Sequence, residues 1–386
     1  MANAQTTLQT TIGLEDARDV AAAGAGANAT NPEAPASLAG LRAGLFSAAS
    51  LAALGPRATG VPQALWRRAL MEPVEEILLR PGKGFRGRLT EIAYRLAGGR
   101  GRPPETIAAM LEIIHAGSMI VDDIEDGSRE RRGGPTVHRL YGIPLALNAG
   151  NWMYFAPFAM VDDLKLPAAA ELRMRKRMSQ VMLDCHYGQA LDLAARPSSV
   201  EPACLPDVVA TLTTLKTGRL LGFAAEAGAL CGGGDPALTE AIAAFGEALG
   251  VGLQMLDDLG NLSGRAPADK RYEDLRNGRV TWPWAWAAQQ LERSRFEELV
   301  SRAERLGAGD QGGRQGQHQG QLQSQPGVAR WEPLAATLRT ATAAHGRLQA
   351  HWHLREALCR LRDCVGENPL VDAVEREIER LEVSYG

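Results

Sequence analysis

Glu105-Thr-Ile-Ala-Ala-Met-Leu-Glu-Ile-Ile-His115-Ala-Gly-Ser-Met-Ile-Val-Asp122-Asp123-Ile-Glu125-Asp126 is the stretch on which both fold and chemistry turn. Its apolar residues recur at three- and four-residue spacing through Val121, the pattern of an amphipathic helix. At ~100° per residue, His115, Asp122 and Asp126 fall within ~40° of one another. Two carboxylates one turn apart on an otherwise apolar face repel each other and lose solvation. A fold tolerates them where water solvates the turn, or where a hard cation sits between the oxygens. Mg²⁺ suits the second case, because it takes one or two carboxylates and completes its octahedron with water and phosphate oxygens. The cluster therefore points to a metal-bound phosphate or diphosphate.

Working outward, the same spacing returns in Glu171–Leu193, Leu205–Ala229 and Pro236–Asp258, with Ala, Leu, Glu and Arg dominant. Runs of alternating β-branched residues are missing, which argues against a substantial sheet. Gly and Pro punctuate the connections at 98–104, 133–135, 196–199 and 232–236. The expected fold class is all-α. Residues 1–40 read as a disordered leader and 307–327 as a disordered Gly/Gln-rich insert, since neither holds enough apolar surface to order itself. Residues 41–386 then form a single all-α domain.

Composition narrows the class further. The net charge of −3 recruits neither nucleic acid nor an anionic membrane. Five scattered cysteines with no C-x-x-C fit reduced thiols in a cytoplasmic setting, not a disulfide framework. The best candidate for a membrane span, Ala241 to Leu256, contains Glu247, so no span is expected.

A second acidic cluster, Gln254-Met-Leu-Asp257-Asp258-Leu-Gly-Asn261, lies downstream on another apolar helix. Two such clusters could face each other inside a bundle and share metal ions. Cations accompany them. Lys83 and Arg86 stand three residues apart after Gly82, a spacing that suits either a phosphate clamp or a solvated turn. Arg131 and Arg132 follow the first acidic helix, where their forks suit diphosphate oxygens or a nearby Glu. Lys216-Thr217-Gly218 interrupts the Leu-rich helix Thr211–Leu221, and Lys270 and Arg279 sit in a loop-like stretch.

Together these residues resemble the trans-isoprenyl diphosphate (polyprenyl) synthases, and within them the eukaryotic-type geranylgeranyl diphosphate synthases. The resemblance runs from about Arg80 to Ala288 through five ordered motifs. These are Gly-Lys-x-x-Arg at 82–86, His115 through Asp126, and Arg131-Arg132-Gly133-x-Pro135-x-x-His138. Next come Gly188-Gln189-x-x-Asp192 with Lys216-Thr217-Gly218, and Gln254-x-x-Asp257-Asp258. Asn261-Leu262, Tyr141-Gly142-Ile143-Pro144 and Asn151-Trp-Met-Tyr154-Phe155 are similar to the eukaryotic-type subgroup. Arg279 departs from the usual Lys, and Lys270 and Arg271 compete for one role because the loop between Asp257 and Arg279 is short.

The resemblance implies an isoprenoid-synthase-type helical bundle with a central apolar cavity. It implies a Mg²⁺-dependent transferase condensing isopentenyl diphosphate with dimethylallyl, geranyl or farnesyl diphosphate, as a homodimer or higher homo-oligomer. Asp122, Asp126 and Asp257 would ligate Mg²⁺, supported by Asp123 and Asp258. Arg131, Lys216, Thr217, Gln254 and Lys270 would contact the allylic diphosphate, with Arg279 as a further substrate contact. Lys83, Arg86, His115 and Arg132 would bind isopentenyl diphosphate.

Product length is expected to follow from where the growing tail is blocked. Gly117 and Ser118 lie about one turn (~5.4 Å) below Asp122 and would line the tail's path. Tyr154, Phe155 and His186 match the bulky floor of eukaryotic-type synthases, so a C20 product is expected. The alternatives are a farnesyl or other chain-length synthase, a class I terpene cyclase, and a non-enzymatic partner subunit. A cyclase would need an Asn-x-x-x-Ser/Thr-x-x-x-Glu motif, whereas reading on from Asn261 meets Arg265 and Asp269.

Overall fold

The computed structural model describes residues 60–80, 85–263, 271–314 and 328–385. The expected leader, Lys83, Lys270 and the Gly/Gln tract from 315 to 327 lie outside the described residues. Contacts divide the chain into two compact units. The first holds the described residues up to Ser179 with Ala224–Glu240; the second holds Gln180–Phe223 with Ala241 onward.

The first unit contains α1 (Glu72–Leu78), α2 (Phe85–Leu96), α3 (Glu105–Glu125), α4 (Val137–Tyr141), α5 (Ile143–Met160) and the start of α6 (Ala168–Ala194). Glu105 opens α3 at its positive dipole end, Ile107, Leu111 and Ile114 are buried, and α3 packs on α5. Between α3 and α4 lies a ribbon of two-residue strands, β1 (Glu130–Arg131) and β2 (Gly134–Pro135), the only strands among the described residues.

The second unit contains the end of α6, α7 (Leu205–Thr213), and a π-helical turn at Thr214–Gly218. Helices α8 (Arg219–Gly232) and α9 (Pro236–Asn261) are divided between the units at Phe223 and Glu240. Then come α10 (Glu273–Arg276), α11 (Trp282–Gln290), α12 (Arg293–Arg314), α13 (Glu332–Val365) and α14 (Pro369–Tyr385). Trp282, Trp284 and Trp286 of α11 are buried, and α11 packs on α13.

These elements reproduce the helices read from periodicity, and the π turn falls on the Lys216-Thr217-Gly218 interruption. Helix ends differ by up to four residues, and one boundary differs more. Helix α12 continues through 307–314, the start of the tract expected to be disordered. Once its Arg- and Glu-rich turns are nucleated, adding further residues costs little. Among the described residues, no helix is long and apolar enough to cross a membrane.

Candidate active site

In the first unit, the chemistry-bearing side chains open along one line of α3. Most of the helix is buried, but Glu112, His115, Ser118, Asp122 and Asp126 stay partly accessible. Spacing of three or four residues keeps them on one face. The line ends at the helix C-terminus, where unpaired carbonyls carry roughly half a negative charge. Asp122, Asp123, Glu125 and Asp126 are thus concentrated where a helix least favours carboxylates.

Arg131, on β1, answers part of this charge. Its Nε donates to Asp123 Oδ1 at 2.8 Å, and its Nη2 reaches Asp122 Oδ2 at 3.2 Å. Asp123 is 1% exposed, so it acts as the buried counter-ion that aims Arg131, while Asp122 keeps an accessible edge. Arg132 lies 3.9 Å from Glu112. Burial first, then the charges of Arg86, Arg132 and Arg131, hold His115 well below the usual histidine range, so it is neutral near pH 7. The structure therefore brings Arg86, His115, Arg131 and Arg132 into one electrostatic group.

The second unit has its own acidic helix end. Asp257 and Asp258 lie in the last turn of α9; Asp257 is exposed and Asp258 buried. Asp258 accepts from the Trp282 backbone N–H at 3.0 Å and from Gln254 Nε2 at 2.8 Å, and Gln254 in turn accepts from Thr217 Oγ1 at 3.2 Å. Burial pushes the Asp258 carboxyl up to about 7 against those two bonds, with Asp257 and Asp192 adding repulsion. On the π turn, Lys216 Nζ donates to Asp192 Oδ2 at 2.7 Å. π turns are rare and recur at functional sites. Here the turn carries Lys216 and Thr217 together.

Three expectations change. Gly117 does not line a path below Asp122: a Cβ there would sit 2.8 Å from Met153 Cβ and 2.9 Å from Gly150 O, so it lies in the α3–α5 contact. Five residues before Asp122 is the right height but ~140° around the helix, whereas Ser118 is within ~40°. Arg279 is buried, and its Nη1 donates to Asp192 O at 2.5 Å. It braces the partner of Lys216 in place of the substrate contact expected of it. Phe155 is 71% exposed on the outer face of α5, so within one chain it forms no cavity floor. Tyr154 is half-buried, and His186 is exposed with Nδ1 2.7 Å from Met182 O.

Sequence reasoning missed four residues that the structure ties to these clusters. Asp192 stood in a quoted motif without a role, although its four-residue spacing from Gly188 was a signal. Asp274 is raised well above the carboxylate range by burial and then by Asp258, Asp257, Glu273 and Asp192. Glu112 pairs with Arg132, and Arg80 binds the ribbon. A long-range bond to a backbone carbonyl leaves no periodicity to read.

Taken by itself, each acidic helix end has the oxygen donors that suit a hard divalent cation completed by water and phosphate oxygens. Among the described residues no three His, Cys, Asp or Glu side chains form a metal-binding group. Mg²⁺ needs no such cage, since one or two carboxylates suffice when phosphate and water fill the octahedron. Asp122, Asp126 and Asp257 offer accessible oxygens at negative helix ends, whereas Asp123 and Asp258 are buried against protein donors.

Residues 67–308 match the family described as Polyprenyl synthetase. Over 216 residues the chain is 31% identical to a geranylgeranyl pyrophosphate synthase of Penicillium janthinellum, covering 55% of this chain and 56% of that enzyme. A geranylgeranyl pyrophosphate synthase of Eremothecium gossypii is 28% identical over 218 residues, covering 55% of this chain and 68% of its own length. The chain therefore matches little more than half the length of the Penicillium enzyme. Among solved structures, a geranylgeranyl pyrophosphate synthase of Corynebacterium glutamicum, complexed with isoprenyl diphosphate and magnesium, superimposes with a TM-score of 0.67. It is 22% identical, and the match covers 90% of this chain and 96% of that one.

Proposed function

Because the chain belongs to the polyprenyl synthetase family, we propose that it is a prenyltransferase joining isopentenyl diphosphate to an allylic diphosphate, head to tail and trans. The product in this reading is geranylgeranyl diphosphate (C20). The observation that carries it is the acidic C-terminal turn of α3 and that of α9, each with a cation held in the same unit. The C20 assignment draws on the names of the relatives and on the small Ser118 on the face of Asp122.

In this reading Asp122, Asp126 and Asp257 hold Mg²⁺ with the allylic diphosphate, and Arg131, Lys216, Thr217, Gln254 and Lys270 contact that group. Lys83, Arg86, His115 and Arg132 bind isopentenyl diphosphate. Bound Mg²⁺ supplies charge neutralisation to the departing diphosphate. Arg131 and Lys216 add donors where negative charge develops as the carbon–oxygen bond breaks. A neutral His115 offers a hydrogen bond without adding repulsion to Arg86, Arg131 and Arg132. The π-bond of isopentenyl diphosphate attacks the allylic cation, and the released diphosphate takes the proton then lost.

A homodimer belongs to the same reading. Helix α5 carries no charged residue, yet Ile143, Leu147 and Phe155 are exposed along one ridge. Clustered exposed large apolar residues mark interaction surfaces, and a second copy would cover these. A cytoplasmic setting is supported by five cysteines that are all free thiols.

Incubation with isopentenyl diphosphate, farnesyl diphosphate and Mg²⁺ tests the reading. Condensation to a C20 diphosphate, abolished by a chelator, is the expected result. A dominant C15 or C25 product overturns the chain length, a released hydrocarbon or alcohol means a cyclase, and no turnover overturns the enzyme. Light scattering should give twice the chain mass, and Phe155→Glu should halve it.

A further inference from the structure

Arg80 follows α1 and stands just before the Gly-Lys motif, and none of the roles above uses it. Its side chain is 9% exposed. Nη1 donates to Arg131 O at 2.6 Å, and Nη2 donates to Pro135 O at 2.6 Å. Glu76 Oε1 accepts from Nε at 3.2 Å and Nη2 at 2.8 Å, fixing the plane of the guanidinium. The fork thus takes one carbonyl from each strand of the ribbon. A Cβ at Gly134 would come 3.2 Å from Arg80 Cζ, so the bare strand makes room for the guanidinium.

The two carbonyls bracket the turn Arg132-Gly133, with φ +50° and +77°. Positive φ at both central residues is the type I′ geometry that suits a two-residue hairpin. Gly adopts it freely, but Arg132 has a Cβ that the left-handed region disfavours. Such a conformation persists where the surroundings over-determine it. The base of the ribbon is closed without Arg80, by Thr136 N–H to Arg129 O at 3.1 Å and Thr136 Oγ1 to Ser128 O at 3.0 Å. At the tip the fork adds to the pairing of Arg131 with Gly134, and Arg132 Nη1 returns to within 3.4 Å of Arg80 O.

We propose that Arg80 is a positioning residue: it holds the turn after Arg131 so that the Arg132 guanidinium is preset for a diphosphate. This rests on the prenyltransferase reading only for the identity of the substrate.

The test compares wild type with Arg80→Met and Arg80→Lys. Arg80→Met should raise KM for isopentenyl diphosphate about tenfold, the scale of one lost charge-assisted hydrogen bond, with kcat within about threefold. Arg80→Lys should recover part of the loss, because an ammonium replaces one arm of the fork. Calorimetric titration with inorganic diphosphate, without substrate or metal, should show the same order of affinities. Unchanged KM and unchanged diphosphate affinity in a folded Arg80→Met or Arg80→Lys protein overturn the proposal. If wild type binds diphosphate more tightly than the variants yet condenses nothing, the substrate reading fails and the role of Arg80 stands.

Discussion

Adjacent carboxylates in this protein have different work. Asp122 keeps an accessible edge, while Asp123 is buried on Arg131. Asp122→Asn should therefore lower kcat by two or more orders of magnitude, on the scale of removing one group that stabilises transition-state charge, with little change in melting temperature. Asp123→Asn should also lower the melting temperature, because it removes the buried carboxylate charge that pairs with the partly buried Arg131. Comparing kcat with thermal unfolding for the two variants checks this. For His115, pH decides. Its folded pKa is depressed, so above about 6.5 both folded and unfolded forms are neutral. As pH falls below that value the unfolded chain takes up a proton that the folded chain refuses, and stability declines. An NMR titration should show no His115 inflection near 6.5, and pH–rate profiles of wild type and His115→Gln should share their shape.

At the scale of elements, periodicity carried the long helices with ends displaced by up to four residues, and the Lys216 interruption emerged as a π turn. What it could not carry was azimuth combined with neighbours. Gly117 looked like the space below a metal site because its height on α3 is right, yet it faces α5. Gly117→Ala should destabilise by about 1–3 kcal/mol through overpacking, leaving product length unchanged. Ser118→Phe, on the face of Asp122, should shorten the product to C15. Chromatography of the dephosphorylated products with a melting curve for each variant separates the two effects. Arg132 in a left-handed turn was equally invisible, since Arg is not a residue whose presence announces positive φ.

For the whole molecule, both acidic helix ends were legible because their motifs are ordered and specific, and Arg131 and Lys216 each pair with a carboxylate in the same unit. The buried supports of those clusters (Asp192, Asp274, Arg279, Arg80) were not, since burial and backbone carbonyl contacts are set by the fold and not by local spacing. The placement of carboxylates at negative helix ends has one more consequence. Without a ligand, α3 and α9 each end in like charges that repel one another and their own helix carbonyls. On the proposed prenyltransferase reading, magnesium diphosphate would bind the folded state and not the unfolded one, so at about a hundred times its Kd it would add about 2.7 kcal/mol of stability. Scanning calorimetry should show a midpoint several degrees higher with magnesium and diphosphate together than with either alone. In that reading the charge at the two helix ends would make bound diphosphate part of the stability of the fold, and the supply of diphosphate would set how long each molecule survives as well as how fast it turns over.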